Sequence, residues 1–215
     1  MMTHRRFSAA LLVLGLFAAC TRHTPTSPDA TLLSYFQTAT LSDTTHLELP
    51  DEAISGDTIP TPLFFRTLGS LMQPVDYIAD STSSTVVALQ RFSINERYEG
   101  CLVHLTQNWF KHQSILLFDK QTQRFSDRFT VGEWYGGEGG QVLIGSWLFD
   151  YNGDGNNDLV RRSIEHSMSP TPEGEAEEKF FESAELLLWQ KDTWKKTTVK
   201  DSATLIKNYP IRSVW

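Results

Sequence analysis

Val142-Leu143-Ile144-Gly145-Ser146-Trp147-Leu148-Phe149-Asp150-Tyr151-Asn152-Gly153-Asp154-Gly155-Asn156-Asn157-Asp158-Leu159-Val160 is the stretch whose reading decides the fold. Two apolar runs flank a segment built almost wholly of Asp, Asn and Gly. The runs are short and rich in branched and aromatic residues, which suits strands. Between them, side-chain oxygens stand at loop positions one, three, five and nine: Asp150, Asn152, Asp154 and Asp158. Gly155 stands at position six, where an ion loop turns sharply. The stretch therefore reads as strand, ion loop, strand. A turn alone needs two or three residues of this kind for positive φ. Three carboxylates crowded into nine residues repel one another unless a cation sits among them. A hard dication collects such oxygens at about 2.3–2.6 Å. Arg161 stands at position twelve, where a paired-helix calcium site carries a bidentate Glu, so that site is disfavoured.

The run Phe149 to Val160 resembles the calcium loop of FG-GAP and VCBS-type repeats, which belong to β-propeller and β-rich extracellular modules. The resemblance implies a Ca2+ ligand set of side chains Asp150, Asn152, Asp154 and Asp158, with the Asn156 backbone carbonyl. It covers about a dozen residues and occurs once, whereas propellers of the family repeat it from blade to blade.

Outward from the loop the pattern keeps a period of two. Candidate strands are Val86 to Phe92, Tyr98 to Thr106, Ser114 to Phe118, Phe125 to Val131, Gln141 to Phe149, Asp158 to Glu165, Lys179 to Trp189 and Trp194 to Val199. Phe125, Asp127, Phe129 and Val131 alternate with Arg124, Ser126, Arg128 and Thr130, and Asp127 is expected at a strand end or edge. Ile115 to Phe118 is apolar on both faces and reads as a central strand. No amphipathic helical window separates these strands, so antiparallel hairpins replace βαβ units. The expected fold is all-β: an antiparallel meander, propeller-like or a partial propeller, with one or two short N-terminal helices. One helix starts near Asp29 and runs through Leu32, Leu33 and Phe36. The other starts at Thr61-Pro62 and carries the stripe Phe64, Leu68, Leu71 and Met72, with Pro74 stopping it. A short strand is expected at His46 to Leu49.

Two segments read as loops. Gly132 to Gly140 is glycine-dense and holds Trp134 and Tyr135, the expected partner-binding anchors, since exposed aromatics grip sugars or proteins. It lacks the third Gly of a dinucleotide fingerprint and any P-loop Lys. Ser167 to Glu178 carries two prolines and clustered glutamates and reads as a solvated flexible insertion.

The 215-residue length suits one domain with a leader. Arg5 and Arg6 precede the apolar run Ala9 to Phe17, and Ala18-Ala19 precede Cys20. The run is too short to span a bilayer and reads as a secretory signal. Cys20 after two small residues resembles a bacterial lipobox, which implies a lipidated Cys20. Thr21 rather than Asp follows it, which by the same resemblance implies the outer membrane. The expected division is a signal peptide over 1–19, a lipidated tether over 20–42 and a calcium-loop β domain over 43–215. Cleavage takes Arg5 and Arg6 from the 19 basic residues and leaves all 26 acidic ones, for a formal charge of −9. That charge disfavours nucleic acid as a partner.

With Cys20 acylated, Cys101 is expected as a buried, inert thiol, the competing reading being a Cys20–Cys101 disulfide. His104 and His112 lie across a turn near Asn108 and would need further ligands to hold zinc. No Gly-x-Ser-x-Gly, His-Glu-x-x-His or Cys-x-x-Cys signal is present, and no catalytic residue is assigned. The expected function is a membrane-anchored, calcium-binding, non-catalytic module of the cell envelope with a protein or glycan partner. The alternatives are an inhibitor of a cell-wall hydrolase and a glycan hydrolase.

Overall fold

The computed structural model describes residues 27–49, 54–72, 83–137, 139–172, 175–198 and 202–212. The period-two pattern becomes an antiparallel meander. In chain order the elements are Pro28–Leu33 (α1), Thr45–Leu47 (β1), Asp57–Ile59 (β2), Thr61–Met72 (α2), Ser84–Ser93 (β3), Tyr98–Gln107 (β4), Phe110–Asp119 (β5), Arg124–Gly137 (β6), Gly140–Phe149 (β7), Asp158–Pro170 (β8), Ala176–Gln190 (β9), Thr193–Thr197 (β10) and Ser202–Asn208 (α3). Strands β2 to β10 lie side by side in chain order in one 10-stranded sheet, with β1 added to β7 off that path. The path ends at β2 and β10, so the sheet is open and continuous rather than divided into blades.

Ser27, not Asp29, caps α1: its Oγ accepts the Ala30 N–H at 3.1 Å. Asp29 instead accepts the Phe125 N–H at 3.0 Å and pins α1 to β6. Leu32 and Phe36 are buried in the core. The tether boundary expected at residue 42 therefore falls inside the folded unit. Helix α2 buries Phe64 and Leu68, four residues apart on one face, against Val86, Cys101, Val103, Leu105 and Leu116. Cys101 is fully buried, and burial pushes its thiol up, as expected of an inert side chain.

The opposite face of β4 and β5 carries Leu102, Ile115 and Leu117, which pack with Leu148, Leu159, Leu187, Trp189 and Trp194 of β7 to β10. The sheet can do this because it curls back. Phe129 and Trp194 meet edge to face at 5.0 Å, Tyr98 and Trp189 at 5.5 Å. Arg97 binds Asp192 at 2.9 Å, and Thr193 Oγ1 donates to Asp127 at 2.7 Å. A third cluster, with Leu143, Trp147, Val160, Ile164 and Leu186, is covered by Leu205 of α3 and by Ile211.

Two expectations are corrected. The glycine-dense segment is no loop: β6 runs to Gly137 and pairs with β7 from Glu133–Ile144 to Gly137–Gly140. The segment 167–178 is mostly ladder, because β8 and β9 stay paired out to Pro170–Ala176. Asp127 lies inside β6, beside a register shift at Leu117/Phe118, and at an edge as expected, since β7 pairs with β6 only from Glu133 to Gly137. Helix α3 and strand β2 were not expected. Among the described residues no helix is long and apolar enough to cross a membrane. Cys20 and the leader lie outside the described residues.

Candidate functional site

The Asp150 to Asn157 segment joins β7 to β8, and its own side chains organise it. Asp150 accepts the backbone N–H groups of Gly153, Asp154 and Gly155 at 2.8, 3.0 and 2.8 Å. Asn152 Oδ1 accepts the Asp154 N–H at 2.9 Å, and Asp154 Oδ1 accepts the Asn156 N–H at 2.8 Å. The Asn156 N–H and the Asn152 amide hold the Asp154 carboxyl below its usual range. Gly153 and Gly155 take φ of 76° and 85°, which a side chain resists.

Asp158 turns inward. It is fully buried, its Oδ1 accepts the Trp189 N–H at 2.8 Å, and its Oδ2 accepts the Tyr151 N–H at 3.2 Å. Burial pushes its carboxyl up despite these donors. The neighbouring Asn157 carbonyl accepts the Trp194 indole N–H at 2.7 Å. Among the described residues no three His, Cys, Asp or Glu side chains converge on one point. The donor set nonetheless fits a hard dication: every candidate ligand offers oxygen, and buried Asp158 is held by backbone dipoles beside Asp154, which itself raises it.

The other expected site lies at the far end of β7. One strand of ten residues separates Gly140 from Phe149, about 30 Å at the usual rise. Here a cross-strand row, Tyr135–Val142–Glu165–Phe181, spans β6 to β9 in register. It lines a groove of about 570 Å³ together with Lys179 and Phe180. Phe180 and Phe181 are 55% and 64% exposed. Trp109 of the β4–β5 turn and Met168 of β8 are exposed at this same end. A second pocket of about 300 Å³, lined by Thr130, Glu133, Ile144, Arg161 and Glu185, adjoins the groove and shares Glu165 with it.

Trp134 and Tyr135 are adjacent in a strand and so point to opposite faces. Tyr135 lines the groove and meets Phe110 edge to face at 5.7 Å. Trp134 packs beside the Leu143 cluster, donates to Gln141 Oε1 at 3.3 Å and lies 5.1 Å beneath the Lys111 ammonium. Both are half-buried, so the expectation of a jutting aromatic loop is corrected. The glycines serve the hairpin: a Cβ at Gly136 would lie 2.2 Å from the Gly140 carbonyl oxygen.

One constellation was missed. His112 Nε2 lies 2.6 Å from Ser114 Oγ, and its Nδ1 lies 2.8 Å from Glu133. This is the order hydroxyl, imidazole, carboxylate of a nucleophile with its base. Ser114 has no exposed surface, and Arg128 also donates to its Oγ at 3.2 Å. Arg128 reaches on to the Leu71 carbonyl of α2 at 3.0 Å. The chain therefore ties β5, β6 and α2 together, and burial lowers the His112 pKa, outweighing Glu133. The spacing of His112 and Ser114 on one strand face was readable; Glu133 was not, because a register shift at Gln113/Ser114 decides its partner. His104 stands on the opposite face from His112, since Leu105 is the residue opposite His112. Burial lowers its pKa to about 4.

Compared with known proteins, the chain matches no family model, no curated protein and no solved structure.

Proposed function

We propose that this protein is a non-catalytic binding module of the cell envelope, stabilised by calcium at Asp150 to Asp158 and anchored by lipid on Cys20. The recognition surface in this reading is the aromatic end of the sheet. The observation that carries it is the exposed Phe181 beside the Tyr135 groove, at the end of the sheet where Trp109, Met168 and Phe180 are exposed as well. Large apolar side chains exposed at one end of a sheet and beside a groove suit an interaction site better than single scattered ones do. A non-catalytic role is supported by the burial of Ser114, which removes the best-placed nucleophile from any substrate. Calcium is supported by the oxygen-only loop and its resemblance to FG-GAP and VCBS loops.

In this reading Asp150, Asn152, Asp154, Asp158 and the Asn156 carbonyl hold the ion, which would offset the charge of the buried Asp158. Tyr135 and Phe181 contact the partner, and Trp134 supports the hairpin from behind.

The test is site-specific photo-crosslinking in intact cells. A photo-reactive amino acid replaces Phe181 at the aromatic end or Tyr151 at the ion end. A discrete adduct with an envelope protein or glycan from position 181, and none from 151, is the expected result. Adducts from 151 alone, or none from either, would overturn the assignment of the surface.

A further inference from the structure

Strand β10 pairs with β9 only over Leu186 to Gln190. The preceding stretch of β9, Ala176 to Glu185, has β8 on one side and, among the described residues, no strand on the other. Residues Ala176 to Glu182 are all exposed. Such an edge carries a row of backbone donors and acceptors ready to pair with another strand. Charges usually blunt it. Here the charges frame an aromatic instead: Glu178, Phe180 and Glu182 follow one another on one face at the strand period of two.

Groups behind hold this row upright. The Phe180 ring stacks on His166 with centroids 4.6 Å apart, and the Glu178 carboxylate lies 3.8 Å from the same imidazole. Glu182 binds Arg162 at 2.5 Å. The side chains of Glu178 and Glu182 remain 58% and 47% exposed. Among the described residues the edge is thus both ordered and exposed to solvent.

We infer that this edge takes up an extended segment of a protein partner as an added strand. That segment would carry side chains in the order basic, any, apolar, any, basic, so that its apolar residue covers Phe180 and its cations meet Glu178 and Glu182. Cross-strand pairs of opposite charge and of apolar groups stabilise such a ladder, and backbone hydrogen bonds supply the rest. The inference rests on the binding-module reading and names its partner chemistry. A second copy of this chain does not fit. Pairing two copies antiparallel about Phe180 sets Glu178 against Glu182 twice, and pairing about Phe181 sets Glu177 against Glu185 twice. Like charges directly opposite destabilise a ladder.

The experiment titrates the full-length protein with a synthetic nonapeptide, Lys-Thr-Val-Thr-Lys-Thr-Val-Thr-Lys, which places Lys and Val alternately on one face. Two controls replace every Lys by Glu, or carry N-methyl groups on four consecutive central amides. The expected result is saturable binding of the Lys peptide, roughly tenfold weaker binding of the Glu peptide, and loss of binding on N-methylation. Glu178→Lys, an exposed substitution checked for an unchanged melting temperature, should remove the preference for Lys. Phe180→Ala should weaken binding of the Lys peptide. Equal binding of the N-methylated peptide would show charge attraction without strand addition and overturn the inference. So would no binding of the Lys peptide, or a dimer of the protein that the peptide dissociates. The two readings fail separately: an adduct at position 181 in cells with no peptide binding removes the edge and leaves the module.

Discussion

At the scale of single residues, two carboxylates carry opposite pH signatures. Asp119 is bound by Arg97 through two hydrogen bonds at 3.2 and 2.8 Å, which hold its carboxyl far below the usual range. A depressed carboxylate contributes stability that is present above its unfolded pKa of about 3.9 and is lost as pH falls through the folded value. Asp119→Asn should therefore lower the melting temperature at neutral pH and flatten the loss below pH about 4. Asp158 is raised by burial, so its contribution has the other sign. In calcium-free buffer, acidification from above its raised pKa toward its unfolded value of about 3.9 should stabilise the fold, and Asp158→Asn should abolish that rise. Melting curves in EDTA across pH 3 to 8, read for wild type and both variants, check the pair. A rise that persists in Asp158→Asn would assign it to another group. The oxygen pattern from Asp150 to Asp158 was legible because loop spacing is local. That Asp158 turns inward to the Trp189 N–H was not, since the partner lies 31 residues on.

At the scale of elements, alternation exposed the strands and stripe spacing exposed α2. Removing Leu68, which is fully buried there, should cost about 2–5 kcal/mol, as core Leu→Ala changes do. Leu32→Ala should cost a similar amount, which a tether residue could not. Denaturant midpoints at constant slope would measure both, and an unchanged midpoint for Leu32→Ala would return residues 27–42 to the tether. The outer half of the β8–β9 hairpin escaped notice because Glu, Pro and Ser mimic a disordered composition, yet a two-stranded ladder satisfies backbone groups whatever the side chains. Helix α3 escaped because its seven residues bury only Leu205 and so leave no periodic signal.

At the scale of the whole molecule, calcium and partner are expected at opposite ends of β7. Calcium a hundredfold above its dissociation constant should add roughly 2.7 kcal/mol. That is about the value of one core side chain, so EDTA should lower the melting temperature without unfolding the domain at 25 °C. Asp154→Ala should erase the calcium response. Tyr135→Ala should leave that response intact while weakening capture at the aromatic end, because β7 separates the two sites. A melting temperature indifferent to both calcium and EDTA would end the ion assignment. Sequence pattern gave no hint of this separation. It marks where strands begin and turn, but which turns share an end follows from register, and β6 shifts register twice against β5.

The Asp158 and Asn157 contacts also bear on breathing motions. They fasten Trp189 and Trp194, the rings by which the terminal hairpin closes over the inner core. The loop then works as a buckle on the last hairpin. Partial opening should start there, with amide protons of Leu186 to Trp194 exchanging with solvent sooner than those of β4 and β5, and sooner still once the buckle is loosened by Asp158→Asn.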